Sequence, residues 1–315
     1  MFDFIDLFAG IGGLRQPFDE IGGRCVLTCE IDAAAGETYL LNFSAKNPPE
    51  HVFHDDITTL DSASVPDHDL MLAGFPCQPF SNAGKRHGFE DTRGTMFFHV
   101  ARILDAKLPK MFLLENVRGL LTHDRGNTFS RIIEILSVNY EVQYMVLNAR
   151  DFGLPQNRVR VYIVGLRKGT RPFEGSPILE IAPPKTKTRL GDILEEDPPS
   201  SLTISDRLWA SHQSRKEAHR LKGNGWGFSL VNKESHYTST LSARYYKDGA
   251  EILVAQEGAN PRLLSVREAA RLQGFHDDFE FCESRIQAYK QLGNSVPVNV
   301  VRHIAKTMAG LLIRP

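Results

Sequence analysis

One cysteine, one glutamate and two arginines in this chain sit where a sheet would present reactive side chains. Cys77 lies within Gly74-Phe75-Pro76-Cys77-Gln78-Pro79-Phe80-Ser81-Asn82-Ala83-Gly84, directly after the apolar run Asp69-Leu70-Met71-Leu72-Ala73. Such a run forms a buried strand, and ligands of open α/β sheets gather at the carboxyl ends of strands. An isolated cysteine is usually a small buried hydrophobe. Two prolines and two glycines around this one argue instead for a fixed backbone and an accessible sulfur. A second apolar run, Lys110 to Leu114, ends at Glu115-Asn116-Val117 and brings a carboxylate to the same sheet edge. Arg158 and Arg160 alternate in an extended segment and so share a face. They suit either a solvated edge or the holding of an electron-rich ligand and a phosphate.

The elements that must position these groups follow the chain. Phe2 to Leu7 predicts a strand running into Phe8-Ala9-Gly10-Ile11-Gly12-Gly13-Leu14-Arg15, a glycine-rich turn and then a helix. Glycines there let backbone approach a ligand. The third glycine of a G-x-G-x-x-G dinucleotide fingerprint is missing, so a nucleoside ligand without pyrophosphate fits better, with S-adenosylmethionine the candidate. A purely structural turn is the alternative. Cys25 to Glu30 predicts the second strand, and Glu30 suits either a pair of ribose hydroxyls or the first turn of the next helix. His54-Asp55-Asp56-Ile57 reads as a site for an adenine amino group or as a solvated turn. Lys85 to Gly94 predicts a glycine-hinged flap. Helices are expected over 95–104 and 131–136, and strands over 142–147 and 161–165.

From Gly169 to about Pro261 the chain is loop-rich, with basic clusters at Lys185, Lys187 and Arg189 and at Arg215, Lys216, Arg220 and Lys222. A separate small domain is expected there. Ser265 and Glu268 match a capping box, and Gln291-Leu292-Gly293-Asn294-Ser295-Val296-Pro297 leads into an amphipathic helix over 298–312. The boundaries predicted are a catalytic and cofactor-binding domain over 1–175, completed by 283–315, and a small target-recognition domain over 176–282.

The totals narrow the class. The 315 residues are 42% hydrophobic and 24% charged with net charge −1, so any nucleic-acid contact must use local basic clusters. Four cysteines (Cys25, Cys29, Cys77, Cys282) form no evident disulfide framework or metal set, which fits a reducing compartment. The acidic opening Met1-Phe2-Asp3 carries no signal-peptide pattern, and no apolar run approaches the roughly 20 residues of a membrane span. A soluble, cytoplasmic protein is expected, nucleoid-associated if bacterial.

Taken in order, Phe8–Gly13, Gly74–Ser81, Glu115–Val117, Gln156–Arg160 and Gly293–Val296 resemble the DNA cytosine-5 methyltransferases, over roughly 1–167 and 262–310. The resemblance implies an α/β fold, a Rossmann-like S-adenosylmethionine-dependent methyltransferase sheet with a second, smaller target-recognition domain. It also implies a mechanism. Cys77 as thiolate would attack cytosine C6 and make C5 enamine-like. Glu115 would hold and protonate N3, which requires a pKa raised by burial. Arg160 would contact O2, and Arg158 would steady Glu115 or a backbone phosphate. For the cofactor it implies Phe8 on adenine, backbone at Gly10, Ile11 and Gly12, Glu30 on ribose, Ile31 on an adenine face, Asp56 on the amine and Ile57 on its edge. Pro76, Met96, Asn294 and Ser295 would complete the methionine side. Ile31 stands where Trp is frequent, and Asp55 where Gly is usual.

The target base would be extruded from a duplex, with Gln78, Ser81, Lys85 and Arg93 of the flap on DNA. Thr240-Leu241-Ser242-Ala243-Arg244-Tyr245-Tyr246-Lys247-Asp248-Gly249 resembles a recognition stretch, with Thr240, Arg244 and Tyr245 as DNA contacts and Arg244 reading guanine. With Gly225-Trp226-Gly227-Phe228 it is similar to bacterial enzymes that methylate the inner cytosine of CCWGG or related sites. The implied partners are double-stranded DNA and a restriction endonuclease acting on the same site, and a monomer is expected. A transfer-RNA cytosine methyltransferase is disfavoured because Gly74-Phe75-Pro76-Cys77 replaces that relative's Pro-Pro-Cys-Gln and Cys282 is followed by Glu-Ser. A DNA-binding regulator with a dead site is disfavoured by the filled catalytic positions, and a nicotinamide oxidoreductase by the missing glycine.

Overall fold

The computed structural model describes residues 1–76, 96–170, 177–184, 186–225 and 227–312. Cys77, Gln78, Ser81, Lys85 and Arg93 of the expected site lie outside the described residues, as do the predicted flap, Lys185 and Trp226. The chain packs as two units: Met1–Leu147, Val159–Ala182 and Val300–Pro315 in the first, Asn148–Arg158 and Pro183–Asn299 in the second.

The first unit is built on a seven-stranded sheet. Its elements in order are β1 Phe2–Leu7, α1 Arg15–Glu20, β2 Gly23–Cys29, α2 Ala33–Phe43, β3 Val52–His54, β4 Leu70–Ala73, α3 Met96–Lys107, β5 Met111–Val117, α4 Asn127–Leu136, β6 Tyr140–Asn148 and β7 Val159–Arg167. The strand order is β3-β2-β1-β4-β5-β7-β6. Pairs β1–β2, β1–β4, β2–β3 and β4–β5 are parallel, while β5–β7 is antiparallel. The chain therefore winds outward from β1 in one direction and then from β4 in the other. The crevice at that reversal is where a doubly wound sheet takes its ligand, and it is bounded by the ends of β1 and β4.

Continuous apolar runs such as Leu70-Met71-Leu72-Ala73 form because helices cover both faces of a parallel sheet. Ile5, Leu7, Met71, Ala73, Phe112, Leu114, Val161 and Ile163 meet Phe97, Val100, Ile103 and Leu104 of α3 and Ile132 and Leu136 of α4 in one core. On the other face Phe4 packs on Phe18 of α1, ring centroids 6.2 Å apart. Phe112 lies opposite Gly165, where a Cβ would stand 2.0 Å from its ring, so β7 carries a glycine to seat it.

The second unit holds α5 Asp206–Leu221, β8 Leu230–Val231, α6 Tyr245–Asp248, β9 Leu253–Val254, α7 Val266–Gln273 and α8 Arg285–Asn294. The final helix α9, Val298–Leu312, leads back to the first unit. The capping box at α7 is present in both directions, Ser265 Oγ accepting the Glu268 N–H and Glu268 accepting the Ser265 N–H. The unit borders differ from the expected ones. The second unit begins at Pro183, not 176, and extends to Asn299, because α8 packs against α6 and α7. It also takes in 148–158, which Gln156 and Arg158 bind to it.

Candidate active site

The turn after β1 is shaped by unusual backbone. Phe8 (φ 54°), Gly10 (55°) and Gly12 (82°) all adopt the left-handed region, a conformation that costs a non-glycine residue on the order of 1–3 kcal/mol and clusters at ligand sites. Gly12 is obligatory for a second reason, since a Cβ there would meet the Phe43 ring at 2.2 Å. The loop is fixed from β2. The Ala9 N–H donates to Cys29 O (3.1 Å), and Gly10 N–H donates to Glu30 Oε2 (2.7 Å) while Asp32 N–H donates to Oε1 (2.8 Å). Asp32, not Glu30, caps α2 by accepting the Ala35 N–H, so the helix-cap alternative for Glu30 falls away.

The remaining first-unit residues expected on the cofactor divide by exposure. Ile31 is 71% exposed, an apolar side chain standing free at the end of β2. It borders a cleft of about 780 Å³ that Glu30, Leu40, Phe53 and Asp55 also line. Asp56 accepts the Thr58 N–H (2.9 Å), which holds its carboxyl below the usual carboxylate value. Ile11 and Ile57 are buried. Pro76 is exposed, and Met96 packs half-buried on the core.

Glu115 stands two residues before the end of β5 with its side chain 11% exposed, and Arg160 of β7 reaches it, Nε to Oε1 3.0 Å. The register explains the pair. Glu115 faces Tyr162 and Val117 faces Arg160 across the antiparallel ladder, which makes Glu115 and Arg160 diagonal neighbours on one face. Glu115 Oε2 lies 3.9 Å, and Phe8 O 3.8 Å, from where a Cβ on Gly74 would stand. The ends of β1, β4 and β5 thus converge three residues before Cys77. Asn116, for which the sequence offered no role, donates to Phe75 O (2.8 Å) and receives the Val117 N–H (2.8 Å). It ties β5 to the loop that leads to Cys77.

Arg158 does something else. Its buried guanidinium donates to three carbonyls of the second unit, Leu241 O (2.9 Å), Gly293 O (2.9 Å) and Ser295 O (2.5 Å). The expected roles on Glu115 or a phosphate are therefore corrected: Arg160 pairs with Glu115, and Arg158 is a structural clamp. Gln156 works beside it, accepting the Leu241 N–H (3.0 Å) and donating to Leu272 O (3.1 Å). Asn294 is exposed, while Ser295 gives its carbonyl to Arg158.

On the recognition stretch, Arg244 is exposed and Thr240 is half-buried, its hydroxyl donating to Asn157 O (2.7 Å). Tyr245 cannot reach DNA. It is fully buried, donates to Ile252 O (2.8 Å) and accepts the Leu264 N–H (2.7 Å), so it belongs to the unit's core. The exposed aromatic is its neighbour Tyr246.

A strained glycine turn, an acid held by two backbone donors and a free apolar side chain suit an adenosyl group without phosphates. These features, on a sheet reversed between β1 and β4, match the Rossmann-like sheet of the S-adenosylmethionine-dependent methyltransferases. Solved structures agree on the fold: a DNMT2 mutant of Spodoptera frugiperda superposes with TM-score 0.79 at 22% identity, covering 100% of both chains. The C-5 cytosine-specific DNA methylase family matches residues 2–310. Type II methyltransferase M.DsaV of Dactylococcopsis salina is 50% identical over 97% of this chain and 85% of its own. Type II methyltransferase M.NlaX of Neisseria lactamica is 51% identical over 99% and 97%. The chain belongs to the C-5 cytosine-specific DNA methylase family and is a DNA (cytosine-5-)-methyltransferase.

Proposed function

We propose that this enzyme methylates C5 of one cytosine in a fixed duplex context, with S-adenosylmethionine as methyl donor and Cys77 as nucleophile. The observation that carries the reading is the Glu115–Arg160 pair beside Gly74 and Phe8 O. It puts an acid and a cation next to the turn after β1 and beside Gly74, three residues before Cys77 in the chain. The cytosine is flipped out of the stack, since C5 and C6 are not reachable within a duplex. Cys77 thiolate adds to C6, and the ring electrons then pile up at C5 and N3. Glu115 binds the N3 and exocyclic-amine edge, and Arg160, holding Glu115 through Nε and Val159 O through Nη1, turns Nη2 toward O2. The Phe8–Gly12 turn and Glu30 would hold S-adenosylmethionine, whose sulfonium methyl would be taken by C5 as the S–CH3 bond breaks and the thioether S-adenosylhomocysteine leaves. The C5 proton then leaves to water and Cys77 departs, which restores the aromatic ring.

Arg244 reads a guanine of the site, and Gln78, Ser81, Lys85 and Arg93 are assigned to DNA by resemblance. The names of the Type II relatives support a bacterial protein acting beside an endonuclease of the same specificity, and a cytoplasmic monomer completes the reading. The recognition stretch supports the inner cytosine of CCWGG or a related site. The test is bisulfite sequencing of a plasmid carrying this gene in a host without cytosine methylation, beside Cys77→Ser. Protected cytosines in one context, lost in the variant, are expected. Full conversion in both would overturn the reading and turn attention to transfer RNA.

A further inference from the structure

The recognition stretch is anchored at nearly every residue that faces inward. Leu241 is held at its N–H by Gln156 and at its carbonyl by Arg158. Tyr245 is locked by Ile252 O and the Leu264 N–H. Asp248 takes Arg215 (3.1 Å) and the Ala250 N–H (3.2 Å), and His212 lies 3.1 Å from its carbonyl. Between these anchors stands one polar relay. Half-buried Glu251 accepts both the Ser242 hydroxyl (2.6 Å) and the Ser242 N–H (3.3 Å) through the same oxygen, and Ser242 Oγ accepts the Arg244 N–H (3.1 Å). The side chains of Arg244, Tyr246 and Lys247 remain exposed.

A long exposed side chain reads a base well only if its Cα is fixed, because otherwise it must order backbone and rotamers on binding. We propose that Glu251 is a positioning residue for target selection: through Ser242 it fixes the backbone from which Arg244 meets the duplex. This rests on the reading that Arg244 contacts the recognition site. A bidentate arginine–guanine contact discriminates by about 5- to 150-fold against a wrong base, and that selectivity should depend on Glu251 although Glu251 does not touch DNA.

The experiment measures kcat and KM on duplexes carrying the context found by plasmid mapping and on duplexes with single base pairs replaced. Glu251→Ala should lower the ratio of cognate to altered kcat/KM by about tenfold or more, mainly through KM for DNA, with KM for S-adenosylmethionine unchanged. Glu251→Gln, which keeps an acceptor for Ser242, should restore the ratio to within about threefold. In an Arg244→Ala background Glu251→Ala should have no further effect on selectivity. Equal losses on all duplexes, or effects that multiply with Arg244→Ala, would overturn the proposal. Should Glu251→Ala not fold, Ser242→Ala cuts the relay on its own, and an unchanged ratio there would overturn it as well. Wild-type enzyme that shows no fixed context would bring down the underlying reading instead, before any variant is compared.

Discussion

Arg158 and Arg160 show how far residue types and spacing reach. Their alternation reads as one shared face of an extended segment and the motif order links both to Glu115, but Arg160 is the one that reaches Glu115, while Arg158 donates to carbonyls of the second unit. Which arginine does what was not legible, because the unit boundary falls between them: Arg160 enters β7 while Arg158 is folded into the second unit. Two substitutions separate the roles. Arg158→Ala orphans three carbonyls, at about 1–3 kcal/mol per buried group left unsatisfied, so a large drop in thermal stability is expected, and Arg158→Lys should rescue little because one ammonium cannot reach all three. Arg160→Ala removes a partner of Glu115, whose carboxyl can take up a proton instead of standing as a buried charge. It should melt close to wild type while losing orders of magnitude in kcat. Equal melting losses in the two alanine variants would refute this division. The same gap between type and environment explains Tyr245 and Tyr246: adjacent aromatics look alike in sequence, and only the bonds to Ile252 and Leu264 decide which one is core.

At the level of elements, the legible parts were those whose burial leaves a pattern. The strands β1, β4, β5 and β7 were read from apolar runs, α7 from its capping box and α9 from its amphipathic period. α5 was missed because only His212 of its 16 residues is buried, so no apolar stripe marks it. α8 was read as a lead-in to α9 although Ser284 caps it, and its glycine shows what it is for. A Cβ on Gly293 would stand 2.3 Å from Ser242 C and O and from Ala243 N. Helix and recognition stretch therefore touch backbone to backbone. No left-handed φ is involved at Gly293, so the penalty of Gly293→Ala comes from contact alone. Because the obstruction is backbone, it cannot swing aside as a side chain would. Overpacking of this kind costs about 1–3 kcal/mol. The expected result is a lower melting temperature together with a raised KM for the cognate duplex, since the displaced segment carries Arg244. A variant that melts and methylates like wild type would show that the two backbones are not pressed together.

For the whole molecule, the strongest unread feature is a charge problem in β1, just before the glycine turn. Asp6 of β1 is fully buried with neither carboxyl oxygen hydrogen-bonded. Burial pushes its pKa up to about 8, against the pull of Arg15 and the Tyr39 hydroxyl and with the push of Asp19 and Glu30. Sequence periodicity could not show this, because an acid in an apolar strand reads as an exception without stating its environment. The unfolded chain ionises Asp6 near 3.9, so between about pH 4 and pH 8 the folded state holds a proton that the unfolded state has lost. Stability from this group is full below pH 4 and is lost as pH rises to 8, by up to about 1.4 kcal/mol per pH unit. His51 acts with the opposite sign. Its pKa is lowered to about 4, mainly by burial and also by Arg15, so its contribution is present above about pH 6.5 and is lost as pH falls toward 4. The two slopes oppose each other below about pH 6.5, and only that of Asp6 continues above it. Asp6→Asn cannot ionise in either state, whereas the buried Arg15 adds only a pH-independent offset. The melting temperature of Asp6→Asn minus that of wild type should therefore rise steadily from pH 5 to pH 8. A constant difference across that range would mean that Asp6 titrates in the folded protein as it does in the unfolded chain, and that the cation beside it outweighs its burial.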